Sequence, residues 1–317
     1  MTLKVLTPGP LSLLQDLGRF GYQSVGVCTG GPMDEHAFHW ANRLLDNDLS
    51  ATQIEITMGQ FSCEFSAETM VALTGADMSA NLNGVPVANW QSFHVTAGDQ
   101  LTLRGSRHGM RAYLSVKGGF LVSSVLSSCA TVVRDGLGGL SGEGERLKTN
   151  DCIKYAATSL AAMSKRVPSE FVPIYPSELV LDVIPSYQYQ DFSVQQRQRF
   201  FASDYTVSQQ MDRMGYRLSG EAIECQRQNL ISEGIALGAI QIPADGQPIV
   251  LMRDRQTIGG YPKIGCLTAR SVSRLAQSQP GTIVRFKEKS LQQAESERRT
   301  ELQFFHGYVG KQKTAHC

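Results

Sequence analysis

Residues Ser232 to Leu267, SEGIALGAIQIPADGQPIVLMRDRQTIGGYPKIGCL, mix hydrogen-bond donors and acceptors with glycine and proline between two apolar runs. Gln241, Gln247, Asp254, Gln256, Thr257 and Tyr261 alternate there with glycines, Gly259 and Gly260 among them, that let backbone approach a ligand. A second polar stretch, Asp212-Arg213-Met214-Gly215-Tyr216-Arg217-Leu218, sets two arginines four apart. That spacing suits clamping an anion or bonding loop carbonyls. A third joins Gln15-Asp16-Leu17-Gly18-Arg19 to Gly30-Gly31-Pro32-Met33-Asp34. Asp16 and Arg19 suit a structural ion pair or a ligand site equally. The Gly-Gly-Pro approach leaves helix N-terminal amides open to a carboxylate.

These groups share one chemical pattern. An amide or ureido unit is planar, with N–H on one side and C=O on the other. Asp or a Gln carbonyl receives the N–H; Arg, a Gln amide or a Tyr hydroxyl donates to the C=O. The same donors stabilise an oxyanion as the carbonyl becomes tetrahedral, by about 3–4 kcal/mol for each well-placed donor. On this reading, Asp254→Asn or Arg213→Ala abolishes turnover and leaves the melting temperature nearly unchanged. The alternative is a polar network that only stabilises loops.

Strands must position these loops. Ile54-Glu55-Ile56-Thr57-Met58 and Phe61-Ser62-Cys63-Glu64-Phe65 alternate with period two, as does Ala112 to Val116. Val180 to Ile184 and Ile249 to Met252 are denser apolar runs, expected as buried strands. Turns at Asn83-Gly84, Gly98-Asp99, Gly118-Gly119 and Asp245-Gly246 separate such runs, which indicates sandwich or barrel packing. Helices are expected from about Asp34 to Leu45, after Ser193, over roughly Ala269 to Gln277, and beyond Lys289. The low-pattern stretch Ala156 to Pro176 is the expected boundary, dividing domains 1–165 and 166–290 from a helical tail, 291–317.

The chain has 317 residues, a formal net charge of +1 and 42% hydrophobic residues. That balance gives no electrostatic reason to expect nucleic acid or an anionic membrane. Seven cysteines without a CxxC pair suit reduced thiols and a cytoplasmic setting. His36 and His39 lie three apart with no third ligand nearby, so no metal is expected there. Gly139 and Gly144 have phosphate-loop spacing, but Glu145 and Arg146 stand where Lys and Ser/Thr belong, so a turn-rich hairpin is expected. There is no GxSxG elbow, and Met163-Ser164-Lys165 falls short of the lysine motif for covalent biotin.

The segments QDLGR, GPMD, ALTGAD, GMRAYLSVKGG, DRMGYRL and GAIQIPADGQPIVLMRDRQTIGGYP resemble the biotin-dependent carboxyltransferase family, whose other name is the allophanate hydrolase 2 family. Its members include the C component of 5-oxoprolinase and the antagonist of the sporulation kinase inhibitor. The resemblance runs in order from about residue 3 to 290. It implies a mainly β fold, two cyclophilin-like β-barrel units with a few short helices. Family members work beside a smaller partner, the B component, and 5-oxoprolinase adds an A component. That enzyme opens the lactam of 5-oxoproline to L-glutamate using ATP. The related domain of urea carboxylase moves a carboxyl group from carboxybiotin to urea.

Motif matching makes Gln15, Asp16, Gly18, Arg19, Asp34, Arg213, Tyr216, Gln241, Gln247, Asp254, Gln256, Thr257, Gly259, Gly260 and Tyr261 the site candidates. Asp254, Arg213, Gln256 and Tyr261 are read as catalytic. Asp16, Arg19, Asp34, Tyr216, Gln241, Gln247, Thr257, Gly259 and Gly260 are read as substrate-binding. The chain departs from the family pattern at Cys28 and Thr29, where prolines are frequent. Arg253 stands where the family is more often small or polar, and Cys129 where Arg is frequent. The expected function is one component of ATP-dependent 5-oxoprolinase, active with the A and B components on a small amide, with ATP near an interface between them. The alternatives are carboxyl transfer to urea or a similar amide, and a non-enzymatic regulator that binds a kinase-inhibitor-like partner.

Overall fold

The computed structural model describes residues 1–157, 163–226 and 230–313, with side chains through His306. It is mainly β, and its contacts divide the chain into two compact units. One comprises Met1–Arg19, Gly30–Ile174 and Phe305–Cys317; the other comprises Phe20–Thr29 and Tyr175–Phe304. Residues 314–317 of the expected tail lie outside the described residues.

The first unit has two antiparallel sheets. The larger runs Phe120–Leu121, Cys152–Tyr155, Thr2–Pro8, Gly59–Phe65, Gln100–Gly105, Asn81–Leu82, Val85–Pro86 in spatial order. The other runs Leu11–Gln15, Gln53–Thr57, His108–Val116, Thr69–Asp77, Gln91–Val95. Alternation decides the packing. Phe61, Cys63 and Phe65 of one sheet meet Ile54, Ile56, Val71 and Leu114 of the other in a single apolar core. Helix α1, Glu35–Leu44, packs on the five-stranded sheet. Asp34 caps it, its carboxylate accepting from Ala37 N at 3.1 Å. Thr74 and Gln53 pin it further by donating to the carbonyls of Ala37 and Phe38.

The second unit is a closed seven-stranded barrel, ordered Glu178–Pro185, Lys263–Leu267, Ala239–Gln241, Ile249–Leu251, Gly215–Gly220, Tyr205–Met211, Ile283–Glu288. Glu178–Val183 closes it by pairing in parallel with Ile283–Glu288. Leu179, Leu181 and Val183 are buried, whereas Val180 is half-exposed. The expected dense buried run is therefore an alternating strand. One face fills the barrel; the other meets solvent and short covering segments. Helices α2 (Val194–Ala202) and α3 (Ala269–Ala276) begin at the caps Ser193 and Thr268. The final helix, α4, spans Leu291–Lys313, longer than the short helices expected elsewhere.

Candidate functional site

In the second unit, backbone pairing brings two distant polar segments together. Met252 N donates to Met214 O and Asp254 N to Arg213 O, both at 2.8 Å. The side chains then meet twice, Arg213 Nε to Asp254 Oδ2 and Nη2 to Oδ1, each at 2.8 Å. Both residues are almost wholly buried (5% and 4% exposed). Arg255 is buried beside them, donating to Ile235 O at 3.1 Å and Met252 O at 3.3 Å. Its burial, with Arg253 next in line, lowers its pKa to about 10. The Cys28 thiol donates to Arg255 O at 3.0 Å. Asp254 and Arg255 thus anchor this loop through buried side-chain bonds. Removing one end of a buried ion pair takes two charged hydrogen bonds from the other, so Asp254→Asn and Arg213→Ala are expected to lower the melting temperature. The burial of the pair argues against the expectation that stability would be untouched.

A second network lies on the same barrel. Gln241 stands opposite Lys263 in the ladder, beyond the irregularity between Ile240 and Gln241. Lys263, nearly buried, donates through Nζ to Glu233 Oε1 at 2.8 Å. Gln188 Nε2 bonds to the same oxygen, and its own Oε1 accepts from Lys263 N at 2.7 Å. The Tyr187 hydroxyl also bonds to the Glu233 carboxylate. Lys263 foremost, then Tyr187, holds that carboxyl below its ordinary range. Glu233 reaches this place through a two-residue ladder, pairing with Gly259, and Gly234 with Ile258.

Gly259, Gly260 and Tyr261 border this network. Ile235 crowds Gly259: a Cβ there would stand 2.8 Å from Ile235 Cδ1. Open space surrounds Gly260, and Tyr261 is 52% exposed. The Gln256 amide lies beside Gly259, and Thr257 is buried with its carbonyl accepting from Ile235 N at 3.0 Å. Gln241, Gln256, Thr257, Gly259, Gly260 and Tyr261 are therefore one neighbourhood with Lys263 and Glu233. The fold does not bring Tyr216 and Gln247 there. Tyr216 is wholly buried in the barrel and donates to Ala276 O. Gln247 bonds both backbone groups of Gly220.

In the first unit, Asp16 and Arg19 meet one loop through its two polarities. Asp16 accepts from Gly18 N, Cys129 N and the Ser128 hydroxyl. Arg19, 1% exposed, donates to the carbonyls of Val125, Ser128 and Ala130. Gln15 bridges Thr131 O and Gly31 N. The glycine-rich stretch packs against the same place: a Cβ on Gly138 would lie 2.1 Å from Ala130 O and 2.7 Å from Arg19 Nη2. Asp34 caps α1, and its N–H donates to the Tyr113 hydroxyl at 2.7 Å. That hydroxyl donates to Glu55 Oε2, also at 2.7 Å, and Glu55 takes Met33 N as well. Burial, then the Glu55 and Asp34 charges, raises the Tyr113 pKa well above its ordinary value.

Sequence reasoning missed Lys263, Glu233, Gln188, Glu55 and Tyr113. Lys263 follows the IGGYP motif directly, which was its only local signal. Glu55 and Tyr113 sit in alternating strands, where a polar residue on the inward phase was legible but its partner was not. A groove of about 780 Å³ lined by Tyr189, Val194, Arg197, Phe201, Phe286 and Lys287 contains none of the sequence candidates.

The family model for the carboxyltransferase domain, subdomain A and B, matches residues 25–288. The chain is 36% identical over 304 residues to the C component of 5-oxoprolinase from Escherichia coli, covering 96% of each chain. The protein of the same name from Haemophilus influenzae is 35% identical over 90% of this chain and 91% of its own. The urea carboxylase of Kluyveromyces lactis superposes with a TM-score of 0.89 at 26% identity, over 97% of this chain and 29% of that one.

Proposed function

This chain belongs to the carboxyltransferase-domain family, subdomain A and B, and from that membership we infer that it is the C component of 5-oxoprolinase. In this reading it works with the A and B components to open the lactam of 5-oxoproline. Water adds its oxygen to the carbonyl carbon, the ring C–N bond breaks, and the nitrogen leaves as the amine of L-glutamate. The observation that carries the reading is the likeness over 96% of both chains to a protein that bears this name.

The barrel neighbourhood supports a role on an amide. Tyr261 and Gln256 are partly accessible donors beside the open space at Gly260. In this reading they meet a carbonyl oxygen and stabilise charge that develops on it. Arg213 and Asp254, being buried in each other, act as positioning residues that hold residues 252–256 in place.

Hydrolysis of an unstrained five-membered lactam calls for activation of the carbonyl, which ATP would supply. The glycine-rich stretch 136–144 lacks the phosphate-loop chemistry, because Glu145 and Arg146 stand where Lys and Ser/Thr belong. We therefore assign ATP to the partner proteins.

The test is co-expression with the A and B components and assay of glutamate release from 5-oxoproline. Release that requires both ATP and this chain is expected; release that proceeds equally without the chain would refute the assignment. The superposition on urea carboxylase favours one second reading, carboxyl transfer to urea or a similar amide. Inhibition by avidin distinguishes it.

A further inference from the structure

We propose that Lys263, Gln188 and Tyr187, with the Gln241 amide beside them, form a receptor for a ligand carboxylate, which Glu233 occupies while the site is empty. Where the ligand is taken to be 5-oxoproline, the inference rests on the functional reading above.

The donors are fixed by the fold. Lys263 lies in a barrel strand, its N–H bound by Gln188 Oε1 and its carbonyl by the Ser186 hydroxyl. Because the Gln188 oxygen is held by backbone, its amide nitrogen is aimed at the same point as the Lys263 ammonium. Only 5% of Lys263 is exposed, so its charge needs an anion at close range. The anion is the less firmly built part. Glu233 comes from a two-residue ladder, and a third of its side chain is open to solvent.

Gln241 supplies the independent observation. It is 2% exposed, stands directly across the ladder from Lys263, and its Nε2 has no hydrogen-bond partner among the described residues. Residues paired in this way project to the same side of the sheet. A buried amide donor left unmatched is costly. Glu233 satisfies Lys263, Gln188 and Tyr187 and leaves Gln241 unmatched. A ligand carboxylate, free of a peptide tether, has a second oxygen to offer it. The ligand class is a small carboxylate whose remaining body lies toward Gly260 and Tyr261, and a lactam bearing a carboxylate meets that description.

The experiment uses the full chain, thermal melts and calorimetry, with glutarate, 5-oxoproline and the neutral lactam 2-pyrrolidinone as probes. In Glu233→Gln the buried ammonium loses its counter-ion, so the melting temperature falls. Glutarate and 5-oxoproline restore it; 2-pyrrolidinone does not. Binding of 5-oxoproline to this variant is roughly tenfold tighter than to the wild type. Tyr187→Phe, at an exposed side chain, keeps the fold and weakens 5-oxoproline binding several-fold without changing that of 2-pyrrolidinone. Failure of both carboxylates to restore Glu233→Gln overturns the proposal. So does an equal effect of Tyr187→Phe on both lactams, including no effect on either. If carboxylates rescue the variant but the assembled complex releases no glutamate, the receptor stands and the functional reading falls. If the complex is active and Lys263→Met leaves KM for 5-oxoproline unchanged, the receptor falls and the function stands.

Discussion

Arg213 and Asp254, 41 residues apart, meet through two parallel 2.8 Å hydrogen bonds with both side chains almost wholly out of water. A pair in that setting is far more sensitive to losing one member than to losing both. Arg213→Met is expected to cost about 3–5 kcal/mol, because the buried carboxylate loses both of these hydrogen bonds. The double variant Arg213→Met/Asp254→Leu should recover most of that loss. Urea denaturation of the wild type, both single variants and the double variant measures the coupling. Additive losses would mean that the contact carries no stability.

The Tyr113 hydroxyl links two elements, accepting from Asp34 N and donating to Glu55. Tyr113→Phe preserves the ring packing against Phe38 and removes both bonds. A loss of about 1–3 kcal/mol is expected from the buried groups left unmatched. Amide exchange should quicken at the start of α1, where Asp34 N loses its acceptor.

Glu233 gives a pH dependence with a definite sign. Lys263 first, then Tyr187, depresses its folded pKa below the unfolded value. Its contribution is complete above the unfolded pKa and is lost as pH falls through the folded one. Stability followed from about pH 6 to pH 3 should decline at the acid end, below the usual carboxylate range near 4.3. In Glu233→Gln that share of the decline disappears. An unchanged profile would show that the carboxylate contributes nothing.

Thiol reactivity should divide by burial. Desolvation pushes Cys129 up to about 12 and Cys266 up to about 11, and it raises Cys63 further still. Cys152 is exposed. Brief alkylation of the native chain followed by peptide mass spectrometry should therefore modify Cys152 and spare Cys63 and Cys129. Labelling of all three at one rate would contradict the packing described.

Gly138 has φ of +72° and backs directly onto Ala130 O. Gly138→Ala adds left-handed strain of about 1–3 kcal/mol to a clash that only backbone movement relieves. A clear fall in melting temperature is expected, with faster proteolysis between residues 125 and 138. Gly84→Ala is the control, since its φ is also positive but nothing stands within 4 Å of an added Cβ.

The sequence by itself determined whatever depends on near neighbours. Asp34 and Ser193 announced two helix starts because a cap bonds an amide three residues on. Phe61, Cys63 and Phe65 announced an inward face because a strand repeats every two residues. The family motifs also marked residues 254–261 as a place of interest. Tertiary structure decided which polar groups spend themselves on one another. Nothing local tells that Arg213 will close on Asp254, that Arg19 will grip the carbonyls of 125–130, or that Lys263 will find Glu233 while the Gln241 amide stays unmatched. The reason is physical. Propensity and periodicity act over a few residues, whereas the partner of a buried charge is chosen by strand order, register and the water excluded when the barrel closes.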